Sequence, residues 1–272
     1  MDILSILVLL VLIVLLVWIC AVRCRKGNTA LPTLQQYRYA HRGLHDADKP
    51  ENSLAAFKAA VAHGYGAELD VHVTADDKLV VFHDSNTKRI CGEEMTIEES
   101  TLEQLRTLRL SGTEEYIPEL HEVLSLFEDT TPLVIELKTV GGNAAKLSAR
   151  VFEELDNYKG VYCVESFDPR VLVWLKNNRP DVCRGQLAAK FSKGSAGIPG
   201  YQRFALSHLL TGCMTTPDFI AYDHSTRNKT TSLNICRGVW GVQEVSWTVR
   251  SEDDMRKLEK LGNLVIFENF TP

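Results

Sequence analysis

An α/β fold, a TIM (β/α)8 barrel behind an N-terminal transmembrane helix, is predicted by three features of the 272-residue sequence. The first is an uncharged apolar run at the start. The second is a series of eight short apolar segments beyond it, and the third is the set of amphipathic stretches between those segments. Strands that alternate with helical patterns indicate repeated βα units and a parallel sheet, and eight is the barrel number. With residues 1–28 set apart, about 240 remain, which suits one such barrel or two small domains.

Residues 3–22 carry no charge, and only Ser5 is clearly polar. A helix of that length, at about 1.5 Å per residue, crosses the roughly 30 Å hydrocarbon layer of a bilayer. A cleaved signal peptide would prefer a basic start, a shorter apolar core and a small-residue cleavage site, whereas this chain starts Met1-Asp2. Bulky Val17-Trp18-Ile19 before Cys20 fits lipoprotein processing poorly, while Cys20 and Cys24 suit either lipid attachment or a place as interfacial thiols. Arg23, Arg25 and Lys26 follow the span and Asp2 precedes it. The positive-inside tendency then puts the folded domain of a single-pass protein on the cytoplasmic side. The expected organisation is an anchor with its basic flank over 1–28, a linker over 29–36 and the barrel over 37–272, held close to the lipid bilayer.

Strands are expected at residues 37–40, 67–74, 133–138, 161–167, 183–188, 219–223, 242–249 and 264–268, with helices at 53–63, 143–157, 169–177, 232–240 and 251–261. The last helix has the plainest start, with Ser251 as N-cap and Asp254 three residues on. Two stretches exceed a minimal barrel. One follows the second strand and contains an extended run, 79–82, ending in His83-Asp84, then a helix near 101–108 that could form a cap. The other, 190–217, carries Lys190, Phe191, Lys193, Tyr201, Arg203 and Phe204, and suits a lid, a membrane-contacting element or an ordinary loop and packed helix. No full helix follows the eighth strand, so a homodimer contact or an N-terminal segment is expected to cover its place on the wall.

Composition narrows the function classes. With 45% hydrophobic and 24% charged residues the chain is a folded protein rather than a disordered one. A net charge of -5 argues against an extended nucleic-acid footprint, which needs a basic face. Seven cysteines with no CxxC pair suggest reduced thiols rather than a disulfide framework.

The chemistry concentrates at strand ends. In Glu68-Leu69-Asp70 the acids are two apart, so on a strand both project to one face while Leu69 and Val71 take the other. Two inward carboxylates repel each other, and a divalent cation with oxygen ligands is the simplest neutraliser. Glu136 and Lys138 repeat the spacing on the next expected strand. His41-Arg42-Gly43 follows the first strand, where barrel enzymes carry catalytic groups. Arg42 suits bidentate phosphate binding, and Gly43 permits a sharp backbone turn. His83 ends another extended run, so two imidazoles could flank a phosphodiester as general base and general acid.

Those segments, together with Pro50-Glu51-Asn52-Ser53, Phe82-His83-Asp84, Glu136-Leu137-Lys138, Ser166-Phe167 and Ser246-Trp247-Thr248-Val249, resemble the glycerophosphodiester phosphodiesterase family in type, spacing and order. The resemblance covers nearly all of the chain beyond the anchor. It departs at Ile266-Phe267-Glu268-Asn269-Phe270-Thr271-Pro272, where the family often closes on an acidic T-D-x-P-like pattern. It implies a TIM barrel, one divalent cation, Mg²⁺ or Ca²⁺, on Glu68, Asp70 and Glu136, and His41 and His83 as the acid/base pair. Arg42 and Lys138 would bind phosphate. Glu51 and Asn52 would serve the substrate site by orienting its groups, with a turn or capping role before the next helix as the other reading. Trp247 would wall the glycerol pocket or pack in the core. The implied reaction releases glycerol 3-phosphate and an alcohol from a glycerophosphodiester through a cyclic phosphate. Its rivals are a lysophospholipase D acting on membrane lysophospholipids and an inactive, membrane-tethered binding barrel. His72 points inward by parity without an assigned part.

Overall fold

The segment Gly66–Val73 (β2) is buried along its whole length, as a strand must be when helices cover one face and a barrel interior fills the other. It is one of eight parallel strands that close on themselves: β1 (Tyr39–Ala40), β2, β4 (Leu133–Leu137), β5 (Tyr162–Ser166), β6 (Arg184–Ala188), β7 (Phe219–Asp223), β8 (Gln243–Val249) and β9 (Leu264–Phe267). β1 pairs with both β2 and β9, which leaves the TIM barrel without an open edge. The computed structural model describes residues 2–191 and 198–272. β3 (Leu79–Val81) runs antiparallel to the far end of β2, with Val71 opposite Val81.

All eight expected segments form barrel strands, the first trimmed to two residues. Two of the expected helices start where a serine side chain satisfies a free N–H group. Ser53 caps the helix Leu54–Ala62 through Ala56 N, and Ser251 caps Glu252–Lys260 through Asp254 N. The helix Leu120–Phe127 was not expected. It starts from a reciprocal Glu119–Glu122 box instead of Ser or Thr, and it buries Leu120, Val123, Leu124 and Phe127 at helical spacing. Phe127 meets Phe57 edge to face, with centroids 6.1 Å apart. The expected cap after β2 holds β3 and a helix, Leu102–Leu105, over a small core of its own that includes Val80, Phe82, Ile97 and Ile117.

The two ends of the barrel differ. At the N-terminal end of the strands a short helix, Leu31–Leu34, seats Leu34 in the interior core beside Val134, Phe219 and Val245, and Tyr39 Oη donates to Leu34 O. No helix follows β9. Its outer face is covered by Tyr65 and Phe270, both packed on Phe267, and Tyr65 Oη donates to Pro272 O. The insertion after β6 contains the helices Gly200–Ser207 and Gly212–Thr215, while Lys193 lies outside the described residues.

The helix Ile3–Ala21 is long and apolar enough to cross a membrane, with mean hydropathy 3.5, and Asp2 caps it through Ser5 N. Among the described residues, it is the last turn that touches the barrel. Trp18 Nε1 donates to Ser232 Oγ at 3.1 Å, and Trp240 Nε1 donates to Ile19 O at 3.1 Å. Val22 is then buried in the outer wall among Ile220, Tyr222 and Leu233.

Candidate active site

Strand register brings the acidic residues together. β2 and β4 pair with Asp70 opposite Glu136, and β4 and β5 pair with Glu136 opposite Glu165. Three carboxylates therefore stand side by side across adjacent strands, with Glu68 two residues below Asp70 on the same inward face. Carboxylate oxygens of Glu68, Asp70 and Glu136 all lie within 4.8 Å of one another, and all three side chains are buried.

Lys138 and Arg42 are the cations set among them. Lys138 Nζ lies 2.9 Å from Asp70 Oδ1 and 2.8 Å from Glu136 Oε2. Arg42 Nη1 donates to Glu51 Oε1 at 2.8 Å, and its Nε is 3.4 Å from Asp70 Oδ2. Burial alone would raise Asp70, but Lys138, His83 and Arg42 hold it well below the ordinary carboxylate range. Burial and the neighbouring acids push Glu68 and Glu165 well up, and Glu136, despite Lys138, up to about 7. Two fixed positive charges against four buried carboxylates leave two negative charges, so the acids must hold protons or share a cation. An all-oxygen donor set with that excess fits a hard divalent ion.

The turns after β1 and before the helix Leu54–Ala62 are locked to this cluster. Arg42 and Asn52 both adopt left-handed backbone, with φ of 55° and 57°. Such a conformation costs about 1–3 kcal/mol per residue and persists only where partners fix it. Here Asn52 N donates to Arg42 O at 2.9 Å, Arg42 N to Glu68 Oε2 at 3.1 Å, and Asn52 Nδ2 to Asp70 Oδ2 at 2.8 Å. Gly43, at φ +81°, passes so close to the next helix that a Cβ would sit 2.9 Å from the Ala56 backbone. The His-Arg-Gly and Pro-Glu-Asn segments are thus two halves of one latch, in which Glu51 and Asn52 hydrogen-bond Arg42 and Asp70.

His41 and His83 line the same cavity of ≈ 190 Å3, with Glu68, Glu136, Lys138 and Trp247. Each ring is held by a carboxylate. His41 Nδ1 donates to Glu268 Oε2 at 2.5 Å, and His83 Nδ1 donates to Asp84 Oδ1 at 2.5 Å. A carboxylate only accepts, so each Nδ1 carries the hydrogen and each Nε2 is the exchangeable nitrogen. Burial lowers both imidazoles, His83 to about 4. Clefts of ≈ 700 and ≈ 560 Å3 elsewhere are larger, but neither brings two carboxylates together. Chemistry rather than volume marks the site.

The structure brings together all ten residues singled out from the sequence, Trp247 as one cavity wall with its ring 5.6 Å from Phe167. His72 is buried and structural, donating to Glu98 Oε1 from Nδ1 at 2.6 Å. Four contributors were not anticipated. Glu165 is visible in retrospect as an acid inside an apolar strand. Glu268 is the family's departing segment put to use as the partner of His41, and Arg250 Nε donates to its other oxygen at 2.6 Å. Arg89 bridges Glu51 and Asp84 from a helix that no local signal ties to the site.

Residues 41–271 match the model of the glycerophosphoryl diester phosphodiesterase family. A glycerophosphodiester phosphodiesterase of Caldanaerobacter subterraneus subsp. tengcongensis is 41% identical over 110 residues, covering 37% of this chain and 44% of that protein. A lysophospholipase D of Rattus norvegicus is 34% identical over 133 residues, covering 44% of this chain and 41% of that one. These matches span less than half the length of either relative. Among solved structures, an Oleispira antarctica phosphodiesterase in complex with the product sn-glycerol-3-phosphate superposes with a TM-score of 0.71 at 25% identity, covering 88% of this chain and 94% of that one. With its sequence matched from His41, in the turn after β1, through the last strand, the chain belongs to the glycerophosphoryl diester phosphodiesterase family.

Proposed function

We propose that the protein hydrolyses glycerophosphodiesters to glycerol 3-phosphate and an alcohol, with one divalent cation, Mg²⁺ or Ca²⁺, and two histidines. The observation that carries this reading is the pairing of His41 and His83, each oriented by its own carboxylate, in one cavity with Glu68, Asp70 and Glu136. Glu68, Asp70 and Glu136 would hold the cation. When bound, it offsets the charge that develops on the phosphoryl oxygens. Arg42 and Lys138 add positive charge and orient the phosphate. One histidine removes the proton of the glycerol 2-hydroxyl as its oxygen attacks phosphorus, and the other protonates the departing alcohol. The resulting cyclic phosphate is opened by water, with the two imidazoles exchanging parts. Trp247 and Phe167 wall the glycerol moiety.

Residues 1–28 anchor this barrel in the bilayer as a single span, with the domain of 37–272 on the cytoplasmic side, supported by the apolar helix and by Arg23 and Lys26 after it. The apolar helix also favours a second reading, release of head groups from lysophospholipids, as the name of the rat relative suggests. Phosphorus NMR of the products from glycerophosphocholine and from lysophosphatidylcholine tests both. Glycerol 3-phosphate from the first supports the main reading and lysophosphatidic acid from the second supports the alternative. No product from either, in metal-replete protein, rejects the enzyme.

A further inference from the structure

The anchor and the barrel are not joined end to end. Trp18 bonds to Ser232, and one helical turn later Val22 O meets Cys236 Sγ at 3.5 Å, one turn further along the helix Ser232–Gly238. Two contacts in step show that the apolar helix ends running in the same sense as Ser232–Gly238. That helix follows β7, so Ser232 lies at the end of the barrel where the strands finish, and the helix descends from there. The chain confirms the direction: Arg25 reaches Asp218, just before β7, and Asn28 reaches Asp181 O, before β6, both at the opposite end. Upstream of Trp18 the apolar helix therefore projects past the end that carries His41, His83 and the carboxylates.

Length then sets the depth. Residues 3–17 are exposed, with none of the described barrel covering them, which is about 22 Å of helix at about 1.5 Å per residue, short of the roughly 30 Å hydrocarbon layer. The span is completed only if the membrane reaches Trp18 and the turn that packs on the wall. No room is left for a water layer between bilayer and barrel. On the same end, the helix Gly200–Ser207 presents Tyr201 and Phe204, 74% and 58% exposed. Its position is fixed there by Tyr222 Oη donating to Ser207 O and by Phe191 N donating to Ser207 Oγ. From Phe191 an aromatic track runs inward, 5.9 Å to Phe167 and 5.6 Å on to Trp247 in the cavity.

We propose that the catalytic end of the barrel lies flat against the bilayer, with Tyr201 and Phe204 in the headgroup layer beside Trp18, so that the cavity opens toward lipid. Aromatic side chains favour that layer. The arrangement rests on the reading of residues 3–21 as a membrane span. It places diesters that carry an acyl chain within direct reach of the site, with the Phe191–Phe167–Trp247 track as their way in.

Spin labels on the full chain in phosphatidylcholine vesicles test the geometry, at Phe204→Cys and, on the far end, at Lys159→Cys, with the exposed thiols Cys20 and Cys213 replaced by serine. The proposal predicts that the label at 204 lies in the headgroup layer, shielded from a water-soluble relaxing agent, while the label at 159 is fully accessible. Protein that stays in the vesicles through an alkaline wash with both labels in water keeps the span and overturns the docking. A label at 159 nearer the bilayer than the one at 204 overturns it by inverting the barrel. Protein that washes off refutes the span itself, and the docking with it.

Discussion

Replacing Glu268 with glutamine separates the orientation of His41 from the rest of the site. Glu268 Oε2 accepts from His41 Nδ1 at 2.5 Å, and Oε1 accepts from Arg250 Nε at 2.6 Å. Burial alone would raise the Glu268 carboxyl, but the hydrogen bonds from His41 and His45 hold it well below its ordinary range, so it is ionised when His41 works. Glutamine keeps the shape and one acceptor but removes the charge that steadies an imidazolium. A hydrogen bond to a charged group contributes about 1.5–3 kcal/mol. At about 1.4 kcal/mol per factor of ten, kcat falls by roughly 10- to 150-fold. KM stays within about twofold, because Glu268 acts through His41 rather than on the substrate. Steady-state hydrolysis of glycerophosphocholine by Glu268→Gln, alongside a thermal melt to confirm the fold, provides the measurement. A kcat within twofold of the parent protein would refute the idea that this carboxylate orients the histidine.

Three more predictions concern other parts of the chain. His83→Ala lowers turnover by roughly 10² to 10⁴ while metal binding persists. A near-normal rate would remove His83 from acid/base work. Asp84 is partly buried, which would raise its carboxyl, but Arg89 and His83 hydrogen bonds hold it at about 2. Its folded value is depressed, so its stabilisation is complete above the unfolded value near 4 and is lost as pH falls from there through 2. The stability gap between parent and Asp84→Asn, followed by urea unfolding, should narrow over that window; a gap that does not change with pH contradicts the assignment. Phe127→Ala empties a fully buried site between two wall helices and should cost about 3–5 kcal/mol in urea unfolding. A loss below about 1 kcal/mol would mean the unexpected helix is not part of the wall.

Much of this architecture is legible because a parallel barrel writes itself as buried strands between amphipathic helices. Glu68, Asp70 and Glu136 are recognisable since an acid inside an apolar strand has nowhere to point except inward. Other features depend on neighbours far along the chain. Glu165 carries the same local signal, an acid inside an apolar strand, but its place beside Glu136 follows from the register of β4 and β5, and Arg89 reaches Glu51 across 38 positions. Glu268 looked like a departure from the family pattern, yet its position just after β9 puts it under His41 Nδ1. The helix Leu120–Phe127 is hard to read from the sequence because its N-cap is glutamate, a residue that signals a start only together with its reciprocal partner. Residues 29–36 read as a spacer because the four-residue helix Leu31–Leu34 is too short to show a period, although Leu34 closes the barrel interior.

The most direct test of the account is the rate of glycerol 3-phosphate release from glycerophosphocholine by protein stripped of divalent ions, before and after Mg²⁺ or Ca²⁺ is returned, with Glu136→Gln run in parallel. The expected result is a loss of about 100-fold or more on stripping, recovery on metal addition by the parent chain, and no comparable recovery by Glu136→Gln. An undiminished rate in protein shown by elemental analysis to be metal-free would contradict it.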